Sequence, residues 1–170
     1  MLITEEYRKQ QAELHRTHDG YGVACLKYAE KVQDIASKYG LSKLLDYGAG
    51  KGRLATKLPS WLGITRYEPA NPHWAEHPEP HDFVVCIDVL EHIEPDCLES
   101  VLDDLQALTK KVGFFTVNCK KAGKTLPDGR NAHLIIQPKE WWMPKFESRF
   151  NVIETSKARA GFDVLCEPLS

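Results

Sequence analysis

The sequence predicts an α/β fold, a three-layer αβα sandwich around a mostly parallel twisted sheet that ends in a C-terminal antiparallel hairpin. Three observations predict it. Short apolar runs near residues 42–47, 64–69, 82–89 and 112–119 alternate with segments of helical spacing, the pattern of βαβ units. The run Phe83-Val84-Val85-Cys86-Ile87 is apolar throughout, as a central parallel strand buried on both faces must be. Residues 152–158 and 162–167 are strand-like and separated only by Arg159, Ala160 and Gly161, so they pair antiparallel.

The 170 residues suit one domain, 1–170, with a sizeable core. Hydrophobic content of 42% against 27% charged residues places the chain among globular proteins rather than disordered ones. A net charge of −2 argues against a basic surface that holds duplex by phosphate contacts, so nucleic acid is not the expected partner. No apolar run is long enough to span a bilayer, and the polar start lacks a signal-peptide core. The five cysteines are widely spaced with no C-x-x-C pair, which reads as buried reduced thiols of a cytoplasmic protein.

Residues 1–22 are polar and read as a helix, then a loop ending in Gly20-Tyr21-Gly22, placed to act as a lid. Apolar positions recur at helical spacing over residues 23–39, and Gly40 suits the C-terminal cap. The first strand then runs into the stretch that organises the chain, Asp46-Tyr47-Gly48-Ala49-Gly50-Lys51-Gly52-Arg53. Glycines at alternate positions read as a tight turn whose free N–H groups open a helix over 52–58, ended by Pro59. A phosphate-binding P-loop fails here because Gly52 follows Lys51 where Ser or Thr is needed. A dinucleotide fingerprint fails at Arg53, which stands in place of its third glycine.

With Asp46, Gly48, Gly50 and Gly52 matched position by position, the turn resembles the first motif of the class I S-adenosylmethionine (SAM)-dependent methyltransferases. A carboxylate at Asp46 would face like charge in a pyrophosphate site, but it can accept hydrogen bonds from the methionine ammonium of SAM. The resemblance implies a SAM cofactor held at Asp46, Gly48, Ala49 and Gly50, with Tyr21 over its methionine end. Glu68 closes the second strand 18 residues after Gly50, where a carboxylate can take both ribose hydroxyls, with Pro69 beside it. NAD sites use the same device, so an NAD-dependent oxidoreductase is the competing nucleoside-binding reading.

A full class I fold places a helix and a third strand after the second. Here three prolines crowd residues 70–81, so the sheet is expected to be reduced around strand three, with Trp74 plugging the sheet edge. Asp88-Val89-Leu90-Glu91-His92, at the end of the central strand, resembles the fourth motif of methyltransferases that act on small molecules, which adds Asp88 and Val89 to the cofactor site. Pro95 starts the next helix, Leu98 to Leu108 forms its buried stripe, and Lys110 and Lys111 are expected at its C-terminus before a strand at 112–119.

Residues 120–137 form a long basic loop, read as an acceptor-binding flap leading to His133. A helix from 138 to about 149 precedes the hairpin. Methyl transfer from a sulfonium needs alignment and, for a hydroxyl acceptor, a base. His133 and His92 are the candidates. The expected acceptor is a small metabolite, a sugar or nucleotide. Its pocket must be completed by lid and flap or by a second subunit, as in a homodimer. Two alternatives stay open. One is a non-catalytic SAM-binding sensor or partner subunit. The other follows from Asp88, Glu91, His92 and His133, which resemble the two carboxylates and two histidines of metal-dependent enzymes that methylate the 2′-hydroxyl at small-RNA ends. Asp88 stands where that pattern has Glu, and no metal site is assigned.

Overall fold

The computed structural model describes residues 1–169. One six-stranded sheet carries the chain: β1 (Lys43–Tyr47), β2 (Gly63–Tyr67), β3 (His81–Ile87), β4 (Thr109–Asn118), β5 (Phe150–Lys157) and β6 (Gly161–Pro168), in the order β2-β1-β3-β4-β6-β5. The first four are parallel, and β6 runs antiparallel to both β4 and β5. The helices are α1 (Glu5–Thr17), α2 (Ala29–Lys38), α3 (Leu98–Leu108) and α4 (Lys139–Glu147).

Strand alternation makes the two inner layers. Leu44, Phe83, Val85 and Phe114 face one way and pack with Val32, Ile35 and Ala36 of α2. Leu45, Val84, Cys86 and Phe115 face the other way and pack with Leu102 and Leu105 of α3 and with Trp142 and Phe146 of α4. Both faces of β1, β3 and β4 are therefore covered, which explains their continuous apolar sequence.

The expected reduction around strand three is present. Residues 68–80 contain no helix or strand, and β2 forms the sheet edge. Trp74 stacks on the Arg66 guanidinium, 5.2 Å from its ring, against the outer side of the glycine turn, as an edge plug would.

Four local expectations need correction. The helix expected over 52–58 is a single 3₁₀ turn, Leu54–Lys57, because Gly50 and Gly52 hold positive φ and Pro59 stops the chain soon after. The helix expected over 23–39 begins as a 3₁₀ turn, Ala24–Tyr28, before α2. The helix at Pro95 likewise opens as a 3₁₀ turn, Pro95–Cys97, ahead of α3. Lys110 and Lys111 lie on β4, not at a helix end; β4 extends back to Thr109, where it pairs with His81.

Gly161 opens β6 where the hairpin turns back against β4. A Cβ there would stand 1.9 Å from the Val117 carbonyl oxygen, and that backbone cannot yield cheaply. Gly161→Ala is expected to destabilise the fold by about 1–3 kcal/mol, measured as a lowered urea midpoint at unchanged slope.

Candidate active site

Strand order reverses between β1 and β3, and at such a switch point the carboxyl ends of parallel strands open a crevice. A cavity of about 510 Å³ lies there. Asp46, Gly48, Ala49, Gly50, Glu68, Pro69, Asp88, Val89, His92, His133 and Tyr21, the residues the sequence assigned to cofactor and base, line this one cavity.

The glycine turn is built differently from the expectation. Its N–H groups are not free. Gly48 and Ala49 donate to the Tyr67 carbonyl at 2.8 and 3.0 Å, Gly50 donates to Glu68 Oε2 at 3.0 Å, and Gly52 donates to Ala49. The turn thus fastens β1 to the end of β2 and offers little to a pyrophosphate. Gly48 has φ 77°, and a Cβ there would lie 2.5 Å from Val89, so only glycine fits between the turn and the residues after β3.

Asp46 is the penultimate residue of β1 and Glu68 follows β2, and both are buried. Burial pushes the Asp46 carboxyl up to about 7; Arg66 on the neighbouring strand pulls it down, and Glu68 pushes it further up. Burial also raises Glu68, against which the N–H groups of Ala70 and Gly50 pull it down. Glu68 Oε1 accepts the Ala70 N–H at 3.0 Å, so each of its oxygens holds one backbone donor.

At the other end of the cavity, Asp88 sits just past β3 with φ 59°, a left-handed conformation that Asp tolerates better than most residues. His92 Nδ1 lies 2.8 Å from the Ala132 carbonyl, and His133 Nδ1 lies 2.5 Å from the Lys120 carbonyl. Carbonyls only accept, so both Nδ1 atoms carry the proton and both Nε2 atoms keep a lone pair. The rings pack edge to face, with centroids 4.6 Å apart. Burial, then His133, hold His92 down to about 4. Polar atoms of Asp88, His92 and His133 all lie within 4.8 Å of one another. Glu91 does not join them. Its Oε1 accepts the Asn118 N–H at 2.8 Å, and burial together with Asp88 pushes its carboxyl well up.

The roof of the cavity was legible only in part. The lid over residues 1–22 and the 120–137 flap were expected; the individual residues of α1 that line the cavity were not. Tyr7 and Leu14 of α1 pack on Leu126 of the flap in a small core of their own. Tyr7 donates to the His92 carbonyl at 2.5 Å, Gln11 donates to Tyr7, and Tyr21 donates to Gln11 at 2.8 Å. His15 of α1 lies against Tyr21, with ring centroids 5.0 Å apart. Tyr7, Gln11 and His15 stand at four-residue intervals on one helical face, a signal present in the sequence but hidden because two of the three are polar. The flap is held by Asn131, whose amide bonds both backbone groups of Ala122 and whose oxygen also takes the His133 N–H.

A family model described as a methyltransferase domain matches residues 20–165, most of the chain. The chain belongs to the class I SAM-dependent methyltransferase family. SAM is its cofactor and methyl transfer its activity. Solved structures share the fold. The 1,6-didemethyltoxoflavin-N1-methyltransferase of Burkholderia thailandensis, with S-adenosylhomocysteine bound, matches at 17% identity and a TM-score of 0.69, covering 97% of this chain and 89% of that one. The magnesium protoporphyrin IX methyltransferase of Synechocystis matches at 19% and 0.58, over 85% and 82%. The methyltransferase domain of bacterial CtHen1-C matches at 13% and 0.63, over 84% and 97%. No protein of curated function matches the chain by sequence. No helix of the described residues is long and apolar enough to cross a membrane.

The raised Asp46 carboxyl has a stability signature. A group whose folded pKa lies above its unfolded value stabilises fully below the unfolded pKa and loses that contribution as pH rises through the folded one. Moving a carboxyl from about 4 to about 7 is worth up to about 4 kcal/mol. In the ligand-free protein, Asp46→Asn is therefore expected to gain on the wild type by a few kcal/mol (about 4 at most) as pH rises from about 4 through about 7, measured by thermal unfolding across that range.

Proposed function

We propose that this methyltransferase acts on a hydroxyl of a small anionic metabolite such as a sugar phosphate or nucleotide. The observation that carries the reading is the polarity of the cavity: buried carboxylates at one end, imidazole lone pairs and lysines at the other. In this reading the Asp46 carboxylate accepts from the ammonium of SAM, Glu68 takes the ribose hydroxyls, and the turn from Gly48 through Gly50 packs along the cofactor. Pro69, Asp88 and Val89 flank its adenosyl part, and Tyr21 closes over its methionine end.

The acceptor then lies under the flap. Lys121 and Lys124 line that side and suit a phosphate or carboxylate group. His133 is the better base. Its Nε2 lone pair faces no competing donor in the protein, whereas His92 is held too weakly basic to draw a proton well at neutral pH. His92 orients its neighbour through the edge contact. In-line displacement then needs alignment and the exclusion of water, which the roof supplies. Lid and flap come from the same chain, so catalysis does not need the second copy that the sequence left open. Five free thiols and the absence of basic surface bias fit a cytoplasmic enzyme of small molecules.

A second reading rests on the approach of Asp88, His92 and His133. Three acceptor groups with no donor among them suit a divalent cation, and imidazoles whose Nδ1–H is fixed by a carbonyl are oriented as metal ligands commonly are. Such an ion would polarise the acceptor hydroxyl. Glu91, buried and bonded to the Asn118 N–H, leaves the set one carboxylate short of the four-ligand pattern.

Release of S-adenosylhomocysteine should appear with sugar phosphates or nucleotides and not with the corresponding neutral sugars. His133→Ala should lower kcat by about 10²–10⁴ while cofactor affinity, measured by calorimetry, stays within a factor of two or so. Full turnover in a chelator, with no metal in the purified protein, supports the base reading. Loss of turnover restored by a divalent ion supports the cation reading. Turnover only on neutral acceptors would sink the anionic assignment.

A further inference from the structure

The proposed function leaves His15 without a task, although its position is unusual. It projects from α1 into the cofactor end of the cavity, where it lies against the glycine turn. A Cβ at residue 50 would stand 3.0 Å from His15 Cε1, so the ring's seat exists because residue 50 is glycine. Its Nε2 lies 3.9 Å from Glu68 Oε2. That is too long for a direct hydrogen bond. Two groups bonded to one shared oxygen at about 2.8 Å each stand roughly 4–4.6 Å apart, so the gap is close to one hydroxyl wide.

The chemistry of the gap is one-sided. Glu68 accepts one N–H on each oxygen and keeps a free lone pair on each, so whatever faces it must donate. Burial and the nearby Lys51 keep the imidazole neutral, with a single N–H. Facing a carboxylate, that proton belongs on Nε2, which leaves the buried and unpartnered Nδ1 as a bare acceptor, the less costly orphan. A group between the two must therefore donate to Glu68 and accept from His15. A hydroxyl does both; an ammonium or a carboxylate does not.

The lid is fastened at this spot. Lys51 Nζ donates to the His18 carbonyl at 3.0 Å, and Arg53 donates to the Asp19 carbonyl at 2.6 Å. Arg53 is also the residue that spoils the dinucleotide reading of the turn. Lys51 and Arg53 tie the end of α1 to the glycine turn and hold His15 over it.

We propose that His15, carried by the lid, is the second hydrogen-bonding partner of one ribose hydroxyl of the cofactor, which bridges Glu68 and His15. The inference rests on the reading of Glu68 as the ribose-binding carboxylate. It makes the ribose, and not only the methionine end, a determinant of lid closure.

Calorimetry with S-adenosylhomocysteine and its 2′-deoxy and 3′-deoxy analogues, against wild type, His15→Phe and His15→Gln, tests it. His15→Phe is expected to weaken S-adenosylhomocysteine about fivefold. It should also shrink the penalty for removing one of the two hydroxyls, the sign of a coupled pair. His15→Gln, which keeps an N–H donor, should recover part of both. Equal deoxy penalties in wild type and His15→Phe, with both proteins folded by thermal unfolding, overturn the proposal. Glu68→Gln separates the two levels. If it leaves affinity unchanged, the ribose reading itself has failed; if it weakens binding while His15→Phe shows no coupling, only the role of His15 has.

Discussion

Two carboxylates buried side by side at the ends of adjacent parallel strands are the constraint on which this structure turns. Asp46 and Glu68 are placed there by the register of β1 and β2, which pairs Asp46 with Arg66 and Tyr47 with Tyr67. Burial raises both carboxyls, and the protein answers them unequally. Glu68 receives two backbone N–H groups, whereas Asp46 receives a long-range cation and stands close to half-ionised at neutral pH. An acid in that condition is a standing demand for a positive partner. In the proposed reading the methionine ammonium of SAM meets it, so the cost of leaving Asp46 unmatched in the empty protein becomes binding free energy when the cofactor arrives.

The same economy shapes the rest of the site. The sheet needs its backbone donors for its own closure, and the glycine turn uses them on Tyr67 and Glu68. What remains for ligands is side-chain chemistry at the strand ends and along the roof. The roof has its own small core of Tyr7, Leu14 and Leu126, apart from the two sheet cores. Its polar ties run to Glu94, the His92 carbonyl and the glycine turn. A unit with few apolar anchors and many polar ones opens at lower cost than the sheet, as a cavity that encloses its cofactor requires.

Much of this was legible in the sequence because it rests on local rules. The sheet follows from apolar runs, the hairpin from a three-residue connection, the reduced edge from three prolines, and the cavity walls from strand ends that carry Asp46, Glu68 and Asp88. What was not legible depends on partners distant in sequence. The turn reads as free N–H groups because nothing in Gly48-Ala49-Gly50 reveals that the Tyr67 carbonyl and Glu68 will claim them. Lys110 and Lys111 suit a helix end, yet pairing of Thr109 with His81 draws them into a strand. The metal-dependent alternative counts Glu91 beside His92, but only the fold shows that Glu91 accepts the Asn118 N–H. The face of α1 that roofs the site mixes Tyr7 with the polar Gln11 and His15, so it gives only a weak hydrophobic signature.

The central claim is that the ammonium of the cofactor relieves the buried Asp46 carboxyl. Calorimetric binding of S-adenosylhomocysteine at pH 7, in buffers of different ionisation enthalpy, counts the protons exchanged on binding. About half a proton should be released per cofactor bound, following from a carboxyl that is half-protonated when empty and ionised when occupied, and the release should vanish in Asp46→Asn. Binding with no proton release, or release unchanged in that variant, would contradict the account.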